Sequence, residues 1–177
     1  MIDSVLTSWL FTAIFTAAGA WLLLRRPSSV ADWIGRGAHV LMSAAMIAMT
    51  WPWGMSVPAL PQEIVFGLAA LWFLAGAVVP ALRHCTPAAQ VHHALMMAAM
   101  VWMLAAMPLL MGGHHQHAAS NPLVVTANLV LGGYLVLSAV PWASSAFAAE
   151  DRALRRESAS HGAMSVGMGA MFIAMAA

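Results

Sequence analysis

One pattern of potential metal ligands, His-x-x-Met-x-x-x-Met-x-x-Met, occurs three times in this chain with identical spacing. The copies begin at His39, His93 and His161. The methionines are Met42, Met46 and Met49 in the first copy, Met96, Met100 and Met103 in the second, and Met164, Met168 and Met171 in the third. Thioether sulfur is a soft, neutral ligand that suits Cu(I) and Ag(I), and imidazole also binds copper. The repeated residues therefore predict a copper site, in the first place for Cu(I).

The spacing places the four ligands of each copy on one face of a helix. At about 100° per residue, four residues with these intervals fall within an arc of about 80°. With 8 His and 15 Met in 177 residues, one particular additional copy is expected by chance on the order of 0.005 times, so internal repetition is the better account.

Three such helices packed side by side would stack their ligands in layers around one axis. One layer consists of three imidazoles, and the next layers are Met42, Met96 and Met164, then Met46, Met100 and Met168, then Met49, Met103 and Met171. Conduction of an ion needs moderate binding at several successive sites. Stacked three-Met layers are suited to that task, whereas the His layer could hold Cu(I), Cu(II) or Zn(II).

Composition predicts an integral membrane protein. The chain is 62% hydrophobic and only 7% charged, whereas about 25% of the residues of a soluble domain are charged. The net charge of +1 gives no reason to expect a nucleic-acid partner, and the single Cys excludes an internal disulfide. A phosphate-binding Gly-rich loop is absent from the sequence, which argues against ATP hydrolysis.

Six apolar stretches are long enough to span a bilayer as helices. They cover approximately residues 4–24, 35–53, 62–82, 88–111, 122–142 and 159–177. Thr86 followed by Pro87 is a typical helix start. We expect one all-α membrane domain over residues 1–177, built from three hairpin units at 1–55, 60–112 and 120–177.

All seven Arg fall in alternate connections between the six stretches. The positive-inside rule places these connections in the cytoplasm and both termini outside, for a protein of the bacterial cytoplasmic membrane. The three motif helices then run parallel with their His at one depth. We expect them to form the inside of a pseudo-threefold bundle, with the other three helices facing lipid and with no oligomer required.

Further potential ligands lie at the two ends of the predicted path. Those at the outer end, a possible metal entrance, are Met107, Met111, Met175, His114, His115 and His117. At the cytoplasmic end, His84 and Cys85 offer a possible exit. His92 precedes His93 but points about 100° away from it, so we expect it outside the ligand layer.

The Met layers resemble those of the Ctr copper transporters, in which a Met-x-x-x-Met helix from each of three subunits lines a central pore. The matching residues are Met42 and Met46, Met96 and Met100, and Met164 and Met168. The resemblance implies copper translocation and is confined to these residues, the outer His/Met tract and, weakly, His84-Cys85. The chain also looks like a member of an uncharacterised family of small six-helix bacterial membrane proteins.

The function expected from the sequence is binding and translocation of Cu(I) or Ag(I), not enzymatic catalysis. Two alternatives use the same ligands. One is a membrane copper store, a sensor or a metal donor to a cuproenzyme, and the other is a haem or copper oxidoreductase. A copper chaperone or a cuproenzyme would be the corresponding protein partner.

Overall fold

Six long helices joined by short connections make up the protein in the computed structural model, which describes residues 5–83, 85–111 and 122–176. The helices are α1 Val5–Leu24, α2 Val30–Thr50, α3 Ala59–Val78, α4 Pro87–Met111, α5 Pro122–Ala148 and α6 Arg152–Ala176. Short 3-10 helices cover Pro52–Ser56 and Pro80–Leu82. The predicted all-α class and the number of helices are confirmed for the described residues.

Five of these helices, α1, α3, α4, α5 and α6, are long and apolar enough to cross a membrane. Their large outward-facing side chains include Leu10, Leu71 and Leu137, each more than half exposed. The second helix is not among them, and it carries Asp32 and Arg36 in its first turns. Six apolar spans were expected, and five are found in the described part of the chain.

The start of α2 corrects the sequence prediction. The helix begins at Val30 rather than near residue 35. The Ser29 hydroxyl accepts a hydrogen bond from the Asp32 backbone N–H at 3.1 Å, and the Asp32 carboxylate accepts one from the Ser28 N–H at 2.8 Å. This reciprocal arrangement resembles a capping box and fixes the helix start. The Ser-x-x-Asp signal was present in the sequence and was missed.

The start of α6 is also earlier than expected, at Arg152 rather than near residue 159. An Asp151 carboxylate oxygen accepts a hydrogen bond from the Ala153 N–H at 3.0 Å, which caps the helix. As a result, Arg152, Arg155 and Arg156 lie in the first turns of α6 rather than in a loop, and Arg36 likewise lies within α2. An ion pair between Arg25 and Glu157 joins the end of α1 to α6.

The remaining helix ends follow proline positions in two different ways. Thr86 caps α4 by accepting a hydrogen bond from the Ala89 N–H at 3.3 Å, which confirms the predicted start at Pro87. Pro52 ends α2 at Thr50, before the predicted end at residue 53. By contrast, α5 continues through Pro141 to Ala148, past the predicted end at residue 142. Proline costs α5 one backbone hydrogen bond there without ending the helix.

Consecutive helices pack most extensively as pairs, α1 with α2, α3 with α4, and α5 with α6. The first helix of each pair also contacts a helix of another pair: α1 contacts α6, α3 contacts α2, and α5 contacts α4. Phe15, Phe66, Phe73 and Phe172 are fully buried and join the methionines in one core cluster. Each motif helix, α2, α4 and α6, therefore packs against two helices of the other set.

Two glycines bring α5 and α6 into backbone contact. A Cβ atom at Gly169 would lie 2.8 Å from the Gly132 carbonyl oxygen and 2.7 Å from a Val136 methyl carbon. A Cβ atom at Gly132 would lie 3.0 Å from the Gly169 carbonyl oxygen. Small residues at such crossings let membrane helices approach closely. This approach sets the position of α6 and hence of its ligands.

We expect Gly169→Ala to lower the thermal stability of the detergent-solubilised protein, because the added methyl group collides with the α5 backbone. Overpacking of this kind costs about 1–3 kcal/mol. Gly133→Ala is the matched control on α5, since a Cβ atom there meets nothing within 4 Å. Equal melting temperatures for Gly169→Ala and the wild type would contradict the close α5–α6 contact.

Candidate metal centre

The three motif histidines meet in the core of the bundle. One ring nitrogen from each of His39, His93 and His161 lies within 4.8 Å of the other two, and all three side chains are buried. The ring centroids are 4.5 Å apart for His39 and His93, 5.1 Å for His39 and His161, and 4.9 Å for His93 and His161. Residues from α2, α4 and α6 thus form one compact imidazole cluster.

The cluster has the dimensions of a three-coordinate metal site. Metal–nitrogen bonds of about 2.0 Å in a planar three-ligand site separate the nitrogens by about 3.5 Å. His39 Nε2 and His93 Nδ1 are 3.1 Å apart, and the remaining separations stay within 4.8 Å. Small side-chain adjustments would therefore bring all three nitrogens to bonding distance from one ion.

The tautomer of His39 is set by the backbone of its own helix. Its Nδ1–H donates to the Gly35 carbonyl oxygen at 2.8 Å, which leaves the Nε2 lone pair directed toward His93. Metal-binding histidines are commonly oriented by such a hydrogen bond from the second ring nitrogen. One ring nitrogen of His39 is therefore held by the backbone, and the other faces the imidazole cluster.

Two aromatic side chains from the outer helices enclose the cluster. Phe73 of α3 lies with its ring centroid 5.4 Å from that of His39 and 5.3 Å from that of His93. Trp142 of α5 lies 4.9 Å from His161 and 5.8 Å from His93. These rings limit the orientations of the imidazoles and exclude water from two sides.

The repeated methionines are buried in the core next to the histidines. Seven are fully inaccessible: Met42, Met46, Met96, Met100, Met103, Met164 and Met168. Met171 is 5% exposed, and Met49 is half-buried against the same core cluster. Along each motif helix these methionines follow the histidine, so they extend from the level of the imidazole cluster toward the opposite end of the helix. This set of nine residues is called the methionine column below.

A cavity of about 280 Å³ connects the imidazole cluster with the arginine-bearing end of the bundle. All three histidines line it. Its polar wall further includes Asp32, Arg36, Cys85 and Glu157. Asp32 is paired with Arg36, with Nε and Oδ1 2.7 Å apart, and Glu157 is paired with Arg25. An ion at the imidazoles would therefore have access to the basic end.

A second cavity, of about 300 Å³, lies at the other end of the methionine column. Met49 and Met107 line it, together with residues of the Pro52–Ser56 turn and the start of α3. Met107 had been predicted at this outer end. Met175, which was predicted with it, is half-buried against the core cluster. Between the two cavities the thioethers are closed to water.

His92 forms a polar network beside the first methionine layer. The Ser165 hydroxyl donates to Met96 Sδ at 3.9 Å and lies 3.1 Å from His92 Nε2, and His92 Nδ1 lies 3.2 Å from the Tyr134 hydroxyl. One tautomer satisfies every contact: Tyr134 O–H donates to Nδ1, and Nε2–H donates to Ser165. His92 is thus outside the imidazole cluster, as expected, and it helps to fix the Met96 sulfur.

Cys85 lines the inner cavity but is poorly prepared to bind a metal. Burial, together with the nearby Asp32 carboxylate, raises the pKa of the Cys85 thiol to about 11. Since the thiolate is the metal-binding form, an ion would have to displace a strongly held proton. His84, His114, His115 and His117 and the Met111 side chain lie outside the described residues.

Sequence reasoning missed the residues that surround the ligands. Phe73, Trp142 and Tyr134 belong to no repeated pattern in the chain, whereas Ser165 occupies the same motif position as Ser43. Trp142 had a usable signal, because it ends the predicted fifth span at the depth expected for the histidines. Tyr134 had a weaker one, as the single Tyr in the chain, placed within an apolar stretch.

Together, the six helices, their apolar outer faces and the buried imidazole cluster define a small helical protein whose composition is compatible with a membrane location. Residues 31–175 match the family described as a domain of unknown function, DUF5134, and the chain belongs to that family. This confirms the expected membership of an uncharacterised bacterial family. The match is to this family rather than to the Ctr transporters, so the Ctr likeness remains one of motif spacing.

Uncharacterised proteins of Mycobacterium bovis and Mycobacterium tuberculosis are 40% identical to the chain over 112 residues, which is 60% of this chain and 52% of theirs. The chain therefore spans about half the length of these relatives. No solved structure matches the chain.

We expect Cys85 to react with iodoacetamide about 100-fold more slowly at pH 8 than a free cysteine of ordinary pKa, because a pKa raised by two units reduces the thiolate fraction by that factor. The rate should keep rising tenfold per pH unit up to pH 10, since the pKa is about 11. Limited access alone would slow the reaction equally at every pH. A rate that levels off near pH 9 would contradict the raised pKa.

Proposed function

We propose that this protein lies in the bacterial cytoplasmic membrane and binds and translocates Cu(I), with Ag(I) as a chemical substitute. The convergence of three repeated histidines above a buried thioether column carries the proposal. Imidazole and thioether ligands together favour a soft monovalent ion over Mg²⁺, Ca²⁺ or Zn²⁺. The ion is the cargo, and the chain acts as its path rather than as an enzyme.

The two cavities support movement of the ion along the column. One reaches the imidazole cluster from the basic end, and the other reaches Met49 and Met107 from the opposite end. On α2, Met42 and Met46 lie between His39 at one cavity and Met49 at the other, and both are fully buried. Methionine has three rotatable bonds and adapts readily, so local side-chain rearrangement could pass an ion between successive layers. Neutral thioethers would bind it moderately at each step, as conduction requires.

Helix packing supports the proposed pseudo-threefold bundle. Each non-motif helix packs between its own motif helix and one from another unit, in the cyclic order α1 on α2 and α6, α3 on α4 and α2, and α5 on α6 and α4. The arginines at the basic end favour a cytoplasmic location for that end, with both termini outside. The imidazole cluster would then be the inner end of the path.

A second candidate function, a membrane store or donor of copper, is favoured by the closed column. Seven of the nine layer methionines have no exposed surface, so the structure holds no open pore along them. A copper chaperone or a cuproenzyme would exchange the ion through the inner cavity. A store or donor would use the same ligands and would need to exchange the ion at only one end of the methionine column.

Haem chemistry has less support. The imidazole ring centroids are within 5.1 Å of one another. Axial ligands of a haem face each other across the plane of the macrocycle, which needs an open space between the rings. Rings already in mutual contact do not provide it, and a single metal ion fits the cluster better.

We expect Met100→Leu, in the middle layer, to weaken Cu(I) binding by at least about tenfold, equivalent to about 1.4 kcal/mol. Leucine retains the side-chain volume but removes one of the sulfurs. Anaerobic competition with a chromophoric Cu(I) chelator would measure the affinity of purified protein. The Met46/Met100/Met168→Leu triple variant should lose binding at this layer altogether.

Met97→Leu is the matched control, because Met97 is equally buried, lies on the same helix and stands outside the repeated pattern. Substitution between Met and Leu in a core usually costs less than about 1.5 kcal/mol of stability, so both variants should fold. Equal Cu(I) affinity for Met97→Leu and Met100→Leu, or absence of Cu(I) binding to the wild type, would contradict the proposal.

Transport and storage are separable in sealed proteoliposomes that contain a Cu(I) chelator. If the protein transports Cu(I), the absorbance of the copper–chelator complex inside the vesicles should continue to rise after the added copper exceeds the amount of protein. It should rise more slowly with Met100→Leu but not with Met97→Leu. If the protein stores Cu(I), copper should bind in a fixed ratio to protein, and the absorbance of the chelator inside the vesicles should not change. The second result would contradict translocation and retain the metal site.

A further inference from the structure

A groove unrelated to the metal ligands runs along the outer surface between α1 and α6. It is a shallow, open depression with a volume of about 450 Å³. On α1 it is lined by Ile14, Ala17, Ala18 and Trp21, and on α6 by Arg156, Ala159, Ser160 and Ala163. These positions recur every three or four residues, so they form a continuous face on each helix over about 10 Å. The groove therefore follows the direction of the two helices.

The two ends of the groove differ in chemistry. Arg156 and Trp21 lie at the basic end, with the guanidinium carbon of Arg156 5.1 Å from the centroid of the Trp21 ring. The rest of the wall is mainly alanine methyl groups, with the Ser160 hydroxyl occupied in donating to the Arg156 carbonyl oxygen at 2.8 Å. A ligand that fills the groove would need an apolar chain and an anionic end.

The charge of Arg156 is not balanced within the described residues. The ion pairs found there are Arg25 with Glu157 and Arg36 with Asp32. Arg156 is exposed and has an aromatic ring, rather than a carboxylate, as its neighbour. Its guanidinium is free to form paired hydrogen bonds to a phosphate, for which its planar geometry is well suited.

We propose that this groove, defined here as the α1–α6 groove, binds one acidic phospholipid of the cytoplasmic leaflet. An acyl chain lies along the alanine wall, and Arg156 binds the headgroup phosphate. Both α1 and α6 are long and apolar enough to cross a membrane. At the proposed membrane location, the groove would therefore face hydrocarbon chains. Trp at the interface and Arg near the cytoplasmic surface are typical of such contacts. The site rests on the membrane location and the orientation proposed above, but it does not depend on the proposed metal function.

Native mass spectrometry of the partially delipidated protein tests this site, with phosphatidylglycerol and phosphatidylcholine of identical chains as probes. The wild type should retain one phosphatidylglycerol at least about fivefold more often than one phosphatidylcholine. This is the factor expected when one basic residue faces an anionic rather than a zwitterionic headgroup, since both lipids carry a phosphate. Arg156→Gln should remove this preference, and Arg156→Lys should restore part of it. Ala163→Leu should fill the groove and reduce retention of both lipids.

Arg152→Gln is the matched control. It removes the same charge from the first turn of the same helix, but Arg152 does not line the groove. Equal loss of preference in Arg152→Gln and Arg156→Gln would overturn the site in favour of general electrostatic attraction. Equal retention of the two lipids by the wild type would also overturn it, as would a stable dimer that excludes lipid from this face. Metal binding is measured separately, so failure here leaves the Cu(I) test unaffected.

Discussion

Burial of three imidazoles in an apolar bundle is the constraint on which the rest of the arrangement depends. A polar ring removed from water and lipid must find partners inside the protein. His39 uses the Gly35 carbonyl on one side and His93 on the other. Contacts among the three rings join α2, α4 and α6 at one depth. Under the proposed function, the methionines that follow at constant spacing would then lie at common levels.

The sequence predicted the helices, the arginine-bearing end and the meeting of the three histidines, because each depends on local periodicity or on a repeated pattern. It failed at the starts of α2 and α6, where Ser29 and Asp151 act as caps. It also missed Phe73 and Trp142, which surround the imidazoles. Their roles depend on which face of one helix turns toward another, and that rotation is set by tertiary packing.

The three units are not chemically equivalent, although their ligands repeat. The position after the first methionine of the motif is Ser43 in the first unit, Met97 in the second and Ser165 in the third. The Ser43 hydroxyl donates to the His39 carbonyl oxygen, whereas that of Ser165 donates to the Met96 sulfur. Because that hydrogen bond uses the sulfur that a metal would need, the layer nearest the imidazoles should hold an ion less tightly than a symmetrical one.

The methionine column would not compensate the charge of an ion that passes along it. Thioethers carry no charge and no proton, so an ion passing between the two cavities under the proposed function would not be neutralised by its ligands and would not exchange a proton for its passage. Each Cu(I) crossing would move one full positive charge through the electric field of the membrane. A potential of 100 mV, negative inside, contributes about 2.3 kcal/mol to such a movement. Voltage alone would then favour inward flow, with no coupled ion and no nucleotide.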